Sequence, residues 1–317
     1  MIHPPGPAIV PAFLRPGEPV AVVAPSGVVD RRRLDKGIAY LESKGHPALV
    51  APHVMARHGY FAGNDEARAA DLNDLIAMDT PRAWFFARGG YGLTRILDRL
   101  DLGALRRRPR LLLGYSDITA LAMALQRGGP YLVHYGPTVS ELGEPKAFDE
   151  RSLWRALYGS RSSFHLTFRQ GDVVRAGRGS GVVIGGCLSL LASLIGTPYD
   201  PDYRDAILFW EEVNEEPYRI DRMLTQLRNA GKLDRLRGML VGSLTGCEAP
   251  AGKPSLAVRQ ILLELAQVAT FPIVWNVRAG HVPGKLTMLL GSPASLNTYR
   301  REMKYRVPRI RGLGMTA

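Results

Sequence analysis

Cysteine is nearly absent: Cys187 and Cys247 are the only two in 317 residues. Two distant thiols cannot build a disulfide framework or a four-ligand zinc cluster, and they fit a reducing compartment. No run of about 18 apolar residues occurs, so no transmembrane helix and no membrane partner are expected. The first fifteen residues lack a basic stretch followed by an apolar one, and Pro4, Pro5, Pro7 and Pro11 would break such a stretch. We therefore expect a cytoplasmic protein. No group of His, Cys, Asp and Glu has metal-site spacing such as His-Glu-x-x-His, so no metal is expected. The segment Gly89-Gly90-Tyr91-Gly92 is neither Gly-x-Gly-x-x-Gly nor a phosphate loop, and no cofactor is expected.

Acidic residues are the minority, 29 against 41 basic ones, a net charge of +12. Such a balance suggests a polyanionic partner. The basic residues are scattered, however. Arg31-Arg32-Arg33 and Arg106-Arg107-Arg108 fall where helix surfaces are expected. The tail from Arg300 to Arg311, interleaved with Tyr299 and Tyr305, repeats no nucleic-acid-binding pattern. No nucleic-acid partner is expected, and a non-catalytic polyanion-binding protein is kept as a remote alternative.

What is present is enough apolar content, 46%, for a large core. At about 150 residues per domain the length suggests two domains. Short apolar runs alternate with helical patterns in the first half: Val20 to Ala24, His46 to Ala51, Ala83 to Ala87, Leu111 to Leu113 and Tyr131 to His134. Continuous apolar strands between helices argue for a parallel sheet covered on both faces, which places ligands beyond the carboxyl ends of its strands. Residues 151–180, rich in polar residues and Gly, read as a linker after a first domain over 1–150. A second domain over 181–317 has shorter strands, at 182–184, 206–210, 239–241, 273–275 and 286–290.

Several residues could carry chemistry. Ser116 sits at a sharp strand-to-helix junction, Gly114-Tyr115-Ser116-Asp117-Ile118, which would expose its hydroxyl above a sheet. The Asp117 amide, at the start of the following helix, could stabilise an oxyanion. The pattern is an incomplete nucleophile elbow, because Ile118 replaces the second Gly. Read alone, Ser116 is equally a helix cap. A hydroxyl needs a base, and His281 in the loop Gly280-His281-Val282-Pro283-Gly284 directly after a strand is the most suggestive histidine. His134 reads as structural. Glu211 and Glu212 end an apolar strand, and alternation sends them to opposite faces, so only one can face a given cleft. Gly89-Gly90 lets backbone approach a ligand closely and could supply a second oxyanion donor.

Four segments in order, Ala87-Arg88-Gly89-Gly90-Tyr91-Gly92, Gly114 to Leu121, Glu211 to Arg222, and Gly280-His281, resemble the LD-carboxypeptidase family of serine peptidases. The opening Val22-Val23-Ala24-Pro25-Ser26-Gly27 and the stretch Gly185 to Leu191 resemble it too. The resemblance spans residues 18 to 293. It implies a Rossmann-like N-terminal domain with a parallel sheet, a smaller β-rich C-terminal domain, and a Ser-His-Glu triad where they meet. Ser116 would then be the nucleophile, His281 the base and Glu211 the orienting acid, with Glu212 and Glu215 as rivals. The amides of Asp117 and of Gly89 or Gly90 would form the oxyanion hole, and Arg88 could meet a substrate carboxylate. The implied reaction is release of terminal D-alanine from a murein tetrapeptide, by a cytoplasmic enzyme that commonly dimerises. The microcin-immunity branch, acting on peptidyl or aminoacyl nucleotide analogues, is the alternative. Two departures stand out: Cys187 where Asn is usual after Gly185-Gly186, and the less apolar Val277-Arg278-Ala279 before Gly280.

Overall fold

The computed structural model describes residues 8–159 and 164–306. The prolines at 4, 5 and 7, and the tail beyond 306, lie outside the described residues. In chain order the strands are β1 Val20–Val23, β2 Ala48–Val50, β3 Ala83–Phe86, β4 Leu111–Gly114, β5 Val133–Tyr135, β6 His165–Thr167 and β7 Val173–Arg175. There follow β8 Arg178–Cys187, β9 Ala206–Val213, β10 Gly238–Thr245, β11 Ile273–Val274, β12 Met288–Leu290, β13 Pro293–Asn297 and β14 Glu302–Tyr305.

They form two sheets. The first has the order β2-β1-β3-β4-β5-β12. Its first five strands are parallel, and β12 joins β5 antiparallel. Every residue of β1, β3 and β4 is buried, as uninterrupted apolar runs require between two helical layers. The direction of crossover reverses beside β1, so β1 and β3 flank a switch point, and a crevice opens beyond their carboxyl ends. The second sheet, β6-β14-β13-β8-β9-β10-β11-β7, has eight strands, parallel from β8 to β11 and antiparallel outside.

Sheet membership does not follow sequence position. The stretch expected as a linker carries the helix Glu150–Leu157 and, in β6 and β7, both edges of the second sheet. Apolar β12, expected in the second domain, crosses back to extend the first sheet. Composition could not show this, because strand pairing is decided by what an edge leaves unpaired, not by the strand's own residues. Among the described residues, no helix is long and apolar enough to cross a membrane.

The two halves meet along the helix Ile118–Gln126, buried at every position. Thr119 on its first turn accepts a hydrogen bond from the Cys187 amide at 2.9 Å, at the end of β8. Part of the basic excess serves the fold. Arg106 donates to the carbonyls of Leu125, Gly128 and Gly129, Arg110 to those of Met78 and Asp79, and buried Arg68 to that of Pro25. These guanidiniums satisfy carbonyls at helix C-termini and in loops.

Candidate active site

Ser116 follows β4 and adopts φ 65°, a left-handed conformation that costs a non-glycine residue about 1 kcal/mol or more. The turn is held from several sides. The Ser116 carbonyl accepts from the Thr119 hydroxyl at 2.7 Å and the Thr119 amide at 3.0 Å. Its amide donates to the Tyr135 hydroxyl at 3.1 Å. Gly89 packs directly against it. A Cβ at residue 89 would stand 2.9 Å from the Ser116 Cβ and 3.1 Å from Oγ. Gly89→Ala is therefore expected to lower kcat/KM about a hundredfold by displacing the serine. Its urea midpoint should barely move, because residue 89 is not left-handed. Steady-state kinetics beside equilibrium unfolding checks both parts.

Asp117 turns its side chain away from the cleft. Oδ2 accepts from the Ser26 hydroxyl at 2.6 Å and the Leu93 amide at 2.8 Å, which ties the loops after β1, β3 and β4 together. The amides of Asp117, Gly89 and Gly90 meet no protein acceptor among the described residues. Burial pushes the Asp117 carboxyl up to about 6, despite Ser26, the Leu93 amide and the charge of Arg68. A folded-state value above the ordinary 3.8 means that folding favours the neutral acid. That contribution is complete below about pH 4 and is lost as pH rises through 6, on the order of 2–3 kcal/mol. Asp117→Asn keeps an acceptor for Ser26 and Leu93 without a buried charge. We expect it to be more stable than wild type at about pH 7.5, with the gap closing towards pH 4, in urea unfolding across that range. A variant less stable at the higher pH would show that the turn requires the anion.

β9 ends in the two acids, and they do diverge. Glu212 faces the helix Leu188–Leu194, accepting from the Ser189 amide at 2.7 Å and the Val213 amide at 2.9 Å, with the Cys187 thiol 3.4 Å away. Burial raises its carboxyl above the ordinary value. Glu215, just ahead of the helix Pro217–Asn229, lies 3.5 Å from Arg219. Glu211 points the other way, towards the first sheet, with its side chain fully buried. Its Oε2 accepts from the His281 Nδ1 at 2.8 Å and the His281 amide at 3.1 Å. Its Oε1 accepts from the Tyr135 hydroxyl at 2.7 Å. The hydrogen bond at Nδ1 leaves Nε2 as the free imidazole nitrogen. Only Gly suits position 280, where φ is 98° and a Cβ would lie 2.4 Å from the Glu211 carboxylate. The Thr245 hydroxyl donates to the His281 carbonyl at 2.5 Å, fixing the loop from the other side.

A cleft of about 290 Å³ lies between the halves, with Ser116 and His281 both on its wall beside Arg33, Arg88, Gly89 and Glu141. A larger cavity of about 720 Å³ is lined by Arg151, Phe168, Asp172, Asn276 and Val282, but by none of Ser116, Glu211 and His281. The imidazole held by the buried Glu211 lines the smaller cleft and not the larger one. Arg88 is exposed and donates to the Val28 carbonyl at 2.6 Å. Among the described residues no ion pair engages Arg33 or Arg88. His134 lies in the core against the Ala156 carbonyl, and burial lowers it to about 4, as befits a neutral structural histidine.

Tyr115, Tyr135, Glu141, Lys285 and Arg33 escaped the reading of the sequence. Glu141 closes a capping box with Thr138, a Thr-x-x-Glu spacing that was legible. Burial would raise its carboxyl, but Lys285, 2.6 Å away, together with Thr138 and Tyr115, holds it below the ordinary value. The Lys285 ammonium sits 4.6 Å from the Tyr115 ring centre, and that ring packs 4.7 Å from the His281 imidazole. The His281 loop is thus pinned to the first half by a buried ion pair. Of the two departures, Cys187 is buried beside Glu212, and Arg278 pairs with Asp149 at 3.0 Å.

Sequence profiles described as the LD-carboxypeptidase N-terminal and C-terminal domains match residues 20–135 and 180–296. A Bacillus subtilis protein carrying the name "Probable murein peptide carboxypeptidase" is 34% identical over 294 residues, 91% of each chain. The murein tetrapeptide carboxypeptidase of Pseudomonas aeruginosa is 32% identical, over 83% of this chain and 87% of its own. Among solved structures, the muramoyltetrapeptide carboxypeptidase of Oxalobacter formigenes superposes with a TM-score of 0.82 at 28% identity, covering 92% of this chain and 99% of that one. The microcin C7 self-immunity protein with aspartyl sulfamoyl adenosine shares the fold, with a TM-score of 0.83 at 21% identity over 94% and 98% of the chains.

Proposed function

The chain belongs to the LD-carboxypeptidase family of serine peptidases, and from that premise we propose that it removes the terminal D-alanine from murein tetrapeptides. The observation that carries this reading is the buried Glu211 carboxylate 2.8 Å from His281 Nδ1, on a loop that shares one cleft with Ser116.

In this mechanism His281 Nε2 takes the proton of Ser116 Oγ as that oxygen attacks the carbonyl between the diamino acid and D-alanine. The amides of Asp117 and of Gly89 or Gly90 hold the oxyanion. His281 then protonates the departing amine, and water hydrolyses the acyl-enzyme by the reverse path. Glu211 keeps the imidazole in the tautomer that can accept from serine and stabilises its charged form. Arg88, and Arg33 beside it, offer the cleft's free cations to the terminal carboxylate of the substrate. Two buried, unpaired thiols accord with a reducing cytoplasm, where we place the reaction. A homodimer belongs to the same reading.

The test is mass spectrometry of the protein incubated with a murein tetrapeptide ending in D-alanine. Loss of one alanine, and no cleavage elsewhere, is the expected outcome. An intact tetrapeptide beside hydrolysis of an aminoacyl sulfamoyl adenosine would replace this reading with the microcin-immunity one.

A further inference from the structure

We propose that Tyr135 is a positioning residue whose hydroxyl ties the Ser116 turn to Glu211 and so keeps nucleophile and acid in register across the two halves of the molecule. The proposal rests on the roles given above to Ser116 and Glu211.

Tyr135 ends β5 and is 1% exposed. Its ring sits in the seam between the sheets, edge-on to Tyr115 at 6.1 Å and to Phe209 at 5.6 Å. Phe209 and Glu211 are two apart on β9 and therefore share a face. The ring that packs on Phe209 consequently delivers its hydroxyl to the Glu211 carboxylate. Tyr115 precedes Ser116, so the same ring also braces the turn that carries the serine.

The direction of each hydrogen bond is forced. The Ser116 amide can only donate, so the hydroxyl accepts there, at 3.1 Å. Its single proton then goes to Glu211 Oε1, at 2.7 Å. Oε1 is thereby occupied, and Oε2 is left to the two His281 donors. A fully buried carboxylate with both oxygens engaged has one orientation, and His281 inherits it. At the other end, an anchored amide helps to hold Ser116 at φ 65°, a conformation the surroundings must impose. Burial, with the charge of Glu211, raises the Tyr135 hydroxyl well above its ordinary value, so it stays a donor throughout the working pH range. Any buried hydroxyl needs a partner, but core filling alone would not require that the partners be the Ser116 amide and the Glu211 carboxylate.

Tyr135→Phe keeps the ring and deletes the hydroxyl, so its unfolding midpoint should stay within about 5 °C of wild type. The readouts are labelling of Ser116 by a fluorophosphonate probe, which needs no natural substrate, and kcat and KM on the tetrapeptide. Labelling about 10- to 100-fold slower than wild type is expected, with kcat down by a similar factor and KM within about threefold. In a Glu211→Gln background the same change should cost about threefold or less, because the tie then has nothing to orient. Wild-type labelling and turnover in Tyr135→Phe would overturn the proposal. So would an equal loss in both backgrounds, or a loss carried by KM alone. If the wild-type protein labels away from Ser116, the reading of the nucleophile fails first and takes this proposal with it.

Discussion

Ser116→Ala should lower turnover of the tetrapeptide by about four to six orders of magnitude, the range seen when a triad nucleophile is removed. The structure gives specific reasons for so large a loss. Ser116 lines the cleft on a left-handed turn, and the amides beside it at Gly89, Gly90 and Asp117 meet no protein acceptor among the described residues. Alanine would leave those amides and the cleft charges in place, so KM should change little. The residual rate, still above that in water, would come from oxyanion stabilisation and binding alone. The turn should survive, because the bonds that hold it use the Ser116 carbonyl and amide rather than its hydroxyl. The measurement is single-turnover and steady-state hydrolysis by the purified variant, with circular dichroism as the check on folding. Activity within tenfold of wild type would remove Ser116 from the chemistry.

Glu211→Gln should lower kcat about a thousandfold or more, with little effect on KM. An amide has one oxygen to offer where the carboxylate had two. If its oxygen faces His281, its NH₂ faces the Tyr135 hydroxyl, whose proton then loses its acceptor. If it turns round, its NH₂ meets the His281 amide and Nδ1, where two donors already point. That second arrangement favours the imidazole tautomer with its proton on Nε2, which cannot accept from serine. Replacing an orienting acid by its amide costs a serine protease about 10⁴ in kcat for this reason. The corresponding change Glu212→Gln, on the opposite face of β9, should leave kcat within about tenfold, because that carboxylate holds the amides of Ser189 and Val213 and does not line the cleft. Rate measurements on both variants separate the acids. A larger loss at residue 212 than at residue 211 would reverse their assignment.

Much of the first sheet could be read directly. Val20 to Val23, Ala83 to Phe86 and Leu111 to Leu113 are each apolar without a break and only three or four residues long, the pattern of a strand covered on both faces. The strand-to-helix turn at Ser116 and the Gly89-Gly90 break were visible for the same reason: local chain geometry demands particular residues at the point where it occurs. The divergence of Glu211 and Glu212 was also foreseeable, since alternation along a strand is local. The edge strands β6 and β7 were hidden in a polar, Gly-rich stretch, because each is three residues long and only one of their six residues is buried, too little for an apolar signature. Tyr135 was hidden for a different reason. A tyrosine that ends a short strand, after Val133 and His134, reads as core, and nothing within the chain nearby hints that its hydroxyl reaches a residue 76 positions away.

The sequence alone determined the strand-and-helix alternation, the sharp turn that presents Ser116, and which residue types were available as base and acid. These follow from steric and periodic rules that act over a few residues. Only the tertiary structure decided that Glu211, and not Glu212 or Glu215, meets His281, that Lys285 pins the His281 loop through Glu141, and that Tyr135 joins the two halves. Hydrogen bonds of about 3 Å between distant segments depend on how two sheets pack, and packing is a property of the whole chain that no local window contains.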